Sequence, residues 1–355
     1  MSTDHNRARL RVGVVGAGFI SQVAHLHSFA SLPDAKVVAL CDPRPTLARD
    51  VAKINAITQV YTNADDMFAS SEVDAFVICV HRRCLPPLVE RALKTGKPVL
   101  SEKPMAYSVA QAQRLVDVCS PGQPYAVGVM KRFDVGVRHF RELLRHNLAT
   151  QSLGAIIHVD IADFCPTYGV VPPPHIRSDE PKSYRYEEWP RVPEGLAAQY
   201  ADDYEYMLNV GSHDINLIRW LLPETLTPQS LFVQSGRAQH AILSAQGFDV
   251  SLRLGRSDAG FWDQSITIYF ERGRMVLTLP SPLDRSGIAT VQTIMHEGSV
   301  SASIAQNDGQ WAFEAQAAHF CAAARGEVLL ESAGSDSLRD IELIEALWAR
   351  VVWRQ

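Results

Sequence analysis

Leu10-Arg11-Val12-Gly13-Val14-Val15-Gly16-Ala17-Gly18-Phe19-Ile20-Ser21 is an apolar, largely β-branched run that passes through two glycines into a helical pattern reaching about Ser31. A strand that breaks on glycine and resumes as a helix presents unpaired N–H groups and the positive end of the helix dipole to an anion. Gly16 permits the tight turn, and Gly18 lets a pyrophosphate approach the backbone, with the N–H groups of Phe19 and Ile20 facing it. Ser21 replaces a third glycine whose task is only close helix–strand packing, so a small residue serves there.

Working outward, strand and helix patterns alternate. Lys36 to Cys41 reads as a strand, followed by a helix to about Ile54; Ala75 to Val80 is a continuous apolar run, as a strand buried on both faces requires. A helix from Leu85 to Thr95 is closed by Gly96, a left-handed cap. A strand at Val99, a helix from Ser108 to Cys119 and a strand from Tyr125 to Met130 follow. This rhythm predicts an α/β fold: a Rossmann-type, doubly wound parallel sheet over residues 1–131.

The rhythm changes after Phe133. A helix to about Asn147, the strand Ala155–Asp163, strands with glycine turns from Ser230 to about His296, and helices near Trp311–Arg325 and Ser335–Val351 predict a second domain over residues 132–355. It is expected to be α+β with a large, open, mostly antiparallel sheet, its C-terminal helices free to pack back on the first domain. Between these elements, 164–206 is proline-rich but aromatic (Tyr168, Tyr184, Tyr186, Trp189, Tyr200, Tyr204), which suggests an ordered substrate-side insertion.

Composition sets bounds. The chain has 355 residues, 46 % apolar and 21 % charged, a globular balance large enough for two cores. A formal charge of −5 without a basic cluster argues against nucleic-acid or anionic-membrane partners. Met1–Arg9 lacks the apolar core of a secretory signal, and no apolar run reaches the length of a membrane span. Cys41, Cys79, Cys84, Cys119, Cys165 and Cys321 form no CxxC pair, so reduced thiols in a cytoplasmic protein and no metal site are expected.

Two features bear on chemistry. Asp42 ends the second strand, where its carboxylate can accept from adenosine ribose hydroxyls and repel a 2′-phosphate, favouring NAD(H); Arg44 can instead hold that phosphate, which keeps NADP(H) open. Ser101-Glu102-Lys103-Pro104 follows the Val99 strand and aims an ammonium at the sheet edge where open α/β sheets bind ligands. Lys103–Pro104 is a candidate cis peptide.

With Gly16-Ala17-Gly18, Asp42 and Glu102-Lys103-Pro104 the chain resembles the glucose–fructose oxidoreductase / inositol dehydrogenase (Gfo/Idh/MocA) family. Met130-Lys131-Arg132-Phe133 and Gly211-Ser212-His213-Asp214-Ile215-Asn216-Leu217-Ile218-Arg219-Trp220 extend the resemblance over nearly the whole chain. It implies hydride transfer between NAD(P) and a secondary alcohol of a sugar, amino sugar, cyclitol or sugar nucleotide, without metal. A homodimer or homotetramer built through the second sheet is also implied. Val80, His81, Glu102, Lys103 and Arg132 join the expected cofactor contacts. The chain departs from the family at His81-Arg82-Arg83-Cys84, where a Pro-Asn pair followed by histidine is usual, and at Asn209, where aspartate is common.

Asn209 and His213 are one helical turn apart, with Asn216 and Trp220 extending the stripe on a helix that begins near Asn209. Lys103 is expected to stabilise a developing alkoxide, His213 to accept the hydroxyl proton and Asn209 to orient His213. Lys103 as the base is the alternative. The acids Glu187, Glu188, Glu194, Asp202, Asp203 and Glu205 could suit a cationic amino sugar, and the aromatics could stack on a sugar or base. Competing functions are an NAD-retaining hydrolase or epimerase and a ligand-sensing regulator without turnover.

Overall fold

The computed structural model describes residues 8–166, 174–181, 187–257, 260–295, 300–303 and 309–353. Tyr168, Tyr184 and Tyr186 of the expected insertion lie outside the described residues. The chain divides into two compact units: Met1–Gly128, Pro173–Pro190 and Phe313–Leu338 form the first, and Val129–Pro172, Arg191–Ala312 and Arg339–Gln355 the second.

The first unit is built on β1 (Leu10–Val15), β2 (Ala35–Cys41), β3 (Gln59–Tyr61), β4 (Ala75–Ile78), β5 (Val99–Ser101) and β6 (Tyr125–Val127). All pairings are parallel, in the order β3-β2-β1-β4-β5-β6. Strand order reverses between β1 and β4, and such a switch point opens a crevice outside the strands' carboxyl ends. Val12, Val14, Phe76 and Val77 are wholly buried, because helices cover both faces. The helix Ala312–Ala324 adds Ala317, Phe320 and Cys321 to this core, and the rings of Phe29 and Phe320 meet edge-on at 6.4 Å. β3 and the helix Ala64–Phe68 were not anticipated, since neither is long enough to show a period. β4 and β6 stop short of Val80 and Met130; after β6 the chain turns into a 3₁₀ helix at Met130–Phe133.

The second unit carries β7 (Ile156–Pro166), β8 (Thr227–Gln234), β9 (Ala238–Ala245), β10 (Phe248–Ser257), β11 (Asp263–Phe270), β12 (Gly273–Leu279), β13 (Thr290–Met295), β14 (Val300–Ser303) and β15 (Val351–Trp353). They form one nine-stranded sheet in the order β14-β13-β12-β11-β7-β10-β9-β8-β15, with only the β7–β10 and β8–β15 pairs parallel. Burial alternates along β9 and β11, so one face is core and the other half-exposed. The helix Val135–Thr150 packs on β12 and β13. On the sheet, Ile157 and Met295 remain exposed. Val351 is not helical: the last helix ends at Trp348, and β15 pairs beside β8. No helix among the described residues is long and apolar enough to cross a membrane.

Candidate active site

Gly16 sits at φ +102°, and a Cβ there would lie 2.0 Å from the Cys79 carbonyl oxygen, so no other residue fits. Its N–H donates to the Cys41 carbonyl at 2.7 Å, tying the turn across β1, β2 and the end of β4. A Cβ on Gly18 would meet nothing within 4 Å; the space beside it is open. The helix begins here, Gln22 N–H donating to Gly18 O, which leaves the first-turn N–H groups of Phe19 and Ile20 ahead of its ladder. Ser21–His25 is a π-helical turn, and Ser21 is fully buried, as a packing position should be.

Asp42 is 3 % exposed and accepts from Ala17 N–H at 2.9 Å. Its two oxygens also receive the Arg44 guanidinium in a bidentate pair, Nε to Oδ1 at 2.8 Å and Nη2 to Oδ2 at 2.9 Å. Gly16, Gly18, Phe19, Ile20, Asp42, Arg44, Val80 and His81 line one cavity of about 320 Å³. Glycine without a steric competitor, free helix-start donors and a buried carboxylate suit a dinucleotide. The sequence reading missed Cys41, Cys79 and Cys84, which line the same cavity. Cys41 ends β2 and Cys79 follows β4, which was the available signal; Cys84 instead caps the helix Leu85–Leu93. All six cysteines are unbridged. Burial, with the Asp42 charge behind it, pushes the Cys41 thiol up to about 12.

Glu102 and Lys103 do not line this cavity. Glu102 turns inward, where its Oε1 lies 2.7 Å from Nε2 of the buried His25. Burial would raise the Glu102 carboxyl, but the His25 hydrogen bond and the charges of His25 and Lys103 hold it below the usual range. Lys103 N–H donates to Glu102 Oε2 at 3.1 Å, and the Lys103–Pro104 bond is cis, as expected. A half-buried, hydrogen-bonded carboxylate thus fixes the backbone from which Lys103 projects.

In the second unit the helix bearing Asn209 and His213 begins earlier than expected, at Ala201, and runs to Leu221 through a π-helical turn at Met207–Gly211. Asn209 is therefore inside the helix and cannot be its N-cap. Glu205, Asn209 and His213 form a half-buried stripe among buried neighbours. Gly211 allows close docking: a Cβ there would lie 2.6 Å from Leu254 of β10. Asn216 leaves the stripe; it is 1 % exposed and donates to Asp340 Oδ2 at 2.6 Å. Trp220 is half-buried, with the Arg141 guanidinium 3.7 Å from the ring centroid. Arg132 is 2 % exposed and donates to the Asn216 carbonyl at 3.1 Å.

Beneath His213 lies a polar cluster the sequence did not announce. Asp214 is fully buried and accepts from Gln264 Nε2 at 2.6 Å; Lys131 Nζ donates to Gln264 Oε1 and stands 3.9 Å from the buried Asp163. Burial first, then the Asp163 charge, pushes the Asp214 carboxyl well above the ordinary range.

The insertion differs from expectation. Tyr204 and Tyr206 are buried core residues, Tyr204 edge-on to Trp348 and Tyr206 donating to the Gly255 carbonyl. Trp189 is buried under the Arg114 guanidinium. None of these three offers a face for stacking on a ligand. Asp202 and Glu205 are paired with Arg191, and Asp203 accepts from Ser235 and Gly236, so half of the acid cluster is engaged within the protein. Among the described residues, no group of three or more acidic, histidine or cysteine side chains could hold a metal ion.

An inositol 2-dehydrogenase/D-chiro-inositol 3-dehydrogenase from Shouchella clausii is 33 % identical over 147 residues, 41 % of this chain and 42 % of that protein. An inositol 2-dehydrogenase from Burkholderia vietnamiensis is 31 % identical over 138 residues, 38 % of this chain and 41 % of that protein. The chain thus spans less than half the length of the curated relatives it matches. Among solved structures, the 3-ketoreductase KijD10 from Actinomadura kijaniata, in complex with NADP and TDP-benzene, is 19 % identical with a TM-score of 0.77. The match covers 98 % of this chain and 100 % of that one, a likeness of fold. Residues 10–128 match the model of the oxidoreductase family with an NAD-binding Rossmann fold. The likeness to that family thus lies in this N-terminal stretch, about a third of the chain.

Proposed function

We propose that the protein is an NAD(P)-dependent oxidoreductase of a secondary alcohol or ketone on a sugar, amino sugar, cyclitol or sugar nucleotide. The observation that carries this reading is the cavity in which Gly16, Gly18 and Asp42 meet at the carboxyl edge of the parallel sheet. The same edge presents Lys103 after β5. Relatives named for inositol oxidation and a neighbour named as a 3-ketoreductase support the substrate class. Uncharged polyols head the screen, because Asp202, Asp203 and Glu205 are engaged within the protein.

A bound nicotinamide dinucleotide supplies the hydride acceptor or donor. The first-turn N–H groups at Phe19 and Ile20 would receive its pyrophosphate, and Asp42 would accept from the adenosine ribose hydroxyls, with NAD(H) the favoured form. Lys103, as an ammonium, holds the substrate oxygen and stabilises alkoxide character. His213 accepts the hydroxyl proton in oxidation and returns it in reduction, with Asn209 as its positioning residue. The half-exposed face of the nine-stranded sheet, where Ile157 is 56 % exposed, is the proposed surface for self-association; light scattering on the purified protein tests it.

The test of function is a screen of inositols, sugars, amino sugars and sugar nucleotides with NAD and NADP, followed by absorbance at about 340 nm. Turnover of at least one secondary alcohol is expected. Dinucleotide binding without turnover of any of them would favour a sensor, and absence of both would overturn the reading.

A further inference from the structure

We infer that Glu180 is a specificity-determining residue of the dinucleotide site, a carboxylate laid on the start of the helix Pro45–Ile54 that keeps a 2′-phosphate out. The inference rests on the dinucleotide reading above.

Asp42 is the residue expected to reject a 2′-phosphate, but its carboxylate is matched by the bidentate guanidinium of Arg44. The pair is close to neutral, and Arg44 would otherwise attract the phosphate. Discrimination then needs a further negative charge.

Arg44 is the N-cap of Pro45–Ile54 and supplies no side-chain cap, because its side chain goes to Asp42. The first-turn donors, Thr46 N–H and Leu47 N–H, are where an anion attached to the neighbouring ribose would settle. Both are already taken: Thr46 N–H donates to Glu180 Oε1 at 3.0 Å and Leu47 N–H to Oε2 at 2.9 Å. Ser178 Oγ donates to the same Oε2 at 3.0 Å and accepts from Glu180 N–H at 3.1 Å. Thr46 is two residues from Arg44, which lines the cavity.

The placement of Glu180 is held from upstream. The Gln22 carboxamide accepts from Ile176 N–H at 2.9 Å and donates to the Ile176 and Ala17 carbonyls at 3.0 and 2.8 Å. One side chain therefore ties residues 174–181 to the glycine-rich turn. The His175 ring meets Phe19, a cavity residue, edge-on at 4.8 Å. The Thr46 N–H bond, ahead of the others, holds the Glu180 carboxyl down to about 2, so it is anionic throughout the working range.

The test is fluorescence titration of NADH and NADPH on the wild type, Glu180→Gln and Glu180→Lys. Removing one charge at a helix N-terminus should tighten NADPH roughly three- to tenfold, with charge reversal going further. NADH should stay within about twofold, since it carries no group at that position. The shift should shrink at high salt. Equal changes for both dinucleotides, or none, would reduce Glu180 to a helix cap and overturn the inference. If the wild type binds neither dinucleotide, the underlying reading fails and this one with it.

Discussion

Glu102 and His25 are joined through a 2.7 Å contact in the interior of the dinucleotide unit, and this contact anchors the backbone that carries Lys103. Because the folded carboxyl is held below its unfolded value of about 4.3, its contribution is fully present above that pH and is lost as pH falls through the folded value. Glu102→Gln should remove this acid-sensitive component and cost about 1–3 kcal/mol at neutral pH. Urea unfolding from pH 3 to 7 checks it. Parallel pH curves for the two proteins would mean the pair contributes nothing.

Lys103→Met should nearly abolish turnover while NADH affinity stays close to wild type, because the proposed pyrophosphate site is Gly16 to Ile20. His213→Ala should lower kcat by roughly 10²–10⁴, the range for loss of a general base. Steady-state kinetics with the substrate found in the screen, alongside NADH titration, separates the two effects. Near-normal turnover in Lys103→Met would remove it from the chemistry.

Asn209→Asp places a negative charge one turn from His213 on the accessible stripe. A carboxylate favours the imidazolium, so the basic limb of alcohol oxidation should move to higher pH, and oxidation at pH 7 should slow. The profile of kcat/KM against pH is the measurement. Superimposable profiles would leave Lys103 as the titrating group.

Asp214 offers a test of opposite sign. Its folded carboxyl holds a proton that the unfolded chain releases above about pH 3.9. Wild-type stability therefore falls as pH rises above that value, by at most about 1.4 kcal/mol per pH unit, until the folded carboxyl itself ionises. Asp214→Asn keeps an acceptor for Gln264 and needs no proton. Its Tm should match the wild type near pH 4 and exceed it increasingly toward pH 8. A variant less stable at pH 8 than at pH 5, relative to wild type, would contradict the raised carboxyl.

The parallel sheet was legible because its strands are apolar on both faces and are punctuated by glycine and proline. Gly16, Gly18 and Asp42 were legible because the turn, the helix start and the strand end are each local. What stayed hidden depends on long-range partners. Arg44 reads as a free cation until Asp42 is seen to hold it. Glu180 and Gln22 act across 133 or more positions of chain, and no spacing rule reaches that far. Tyr204 looked like a ligand aromatic because the insertion seemed to continue to 206, whereas the helix already starts at Ala201. Asn216 was misplaced for a simpler reason: three residues past His213 the helix has turned it toward Asp340.

The π-helical turn at Met207–Gly211 amounts to one surplus residue stored in an otherwise regular rod. Such a surplus can be taken out again. Deleting one residue of the turn would let the rod close toward uniform α-helix between Tyr204 before it and Leu217 after it, both core residues. What changes is the aim of the residues between them, so Asn209 is re-pointed relative to His213 without a new side chain being introduced. The alignment of these two residues is thus a matter of chain length as much as of residue identity, adjustable by a deletion that leaves their chemistry untouched.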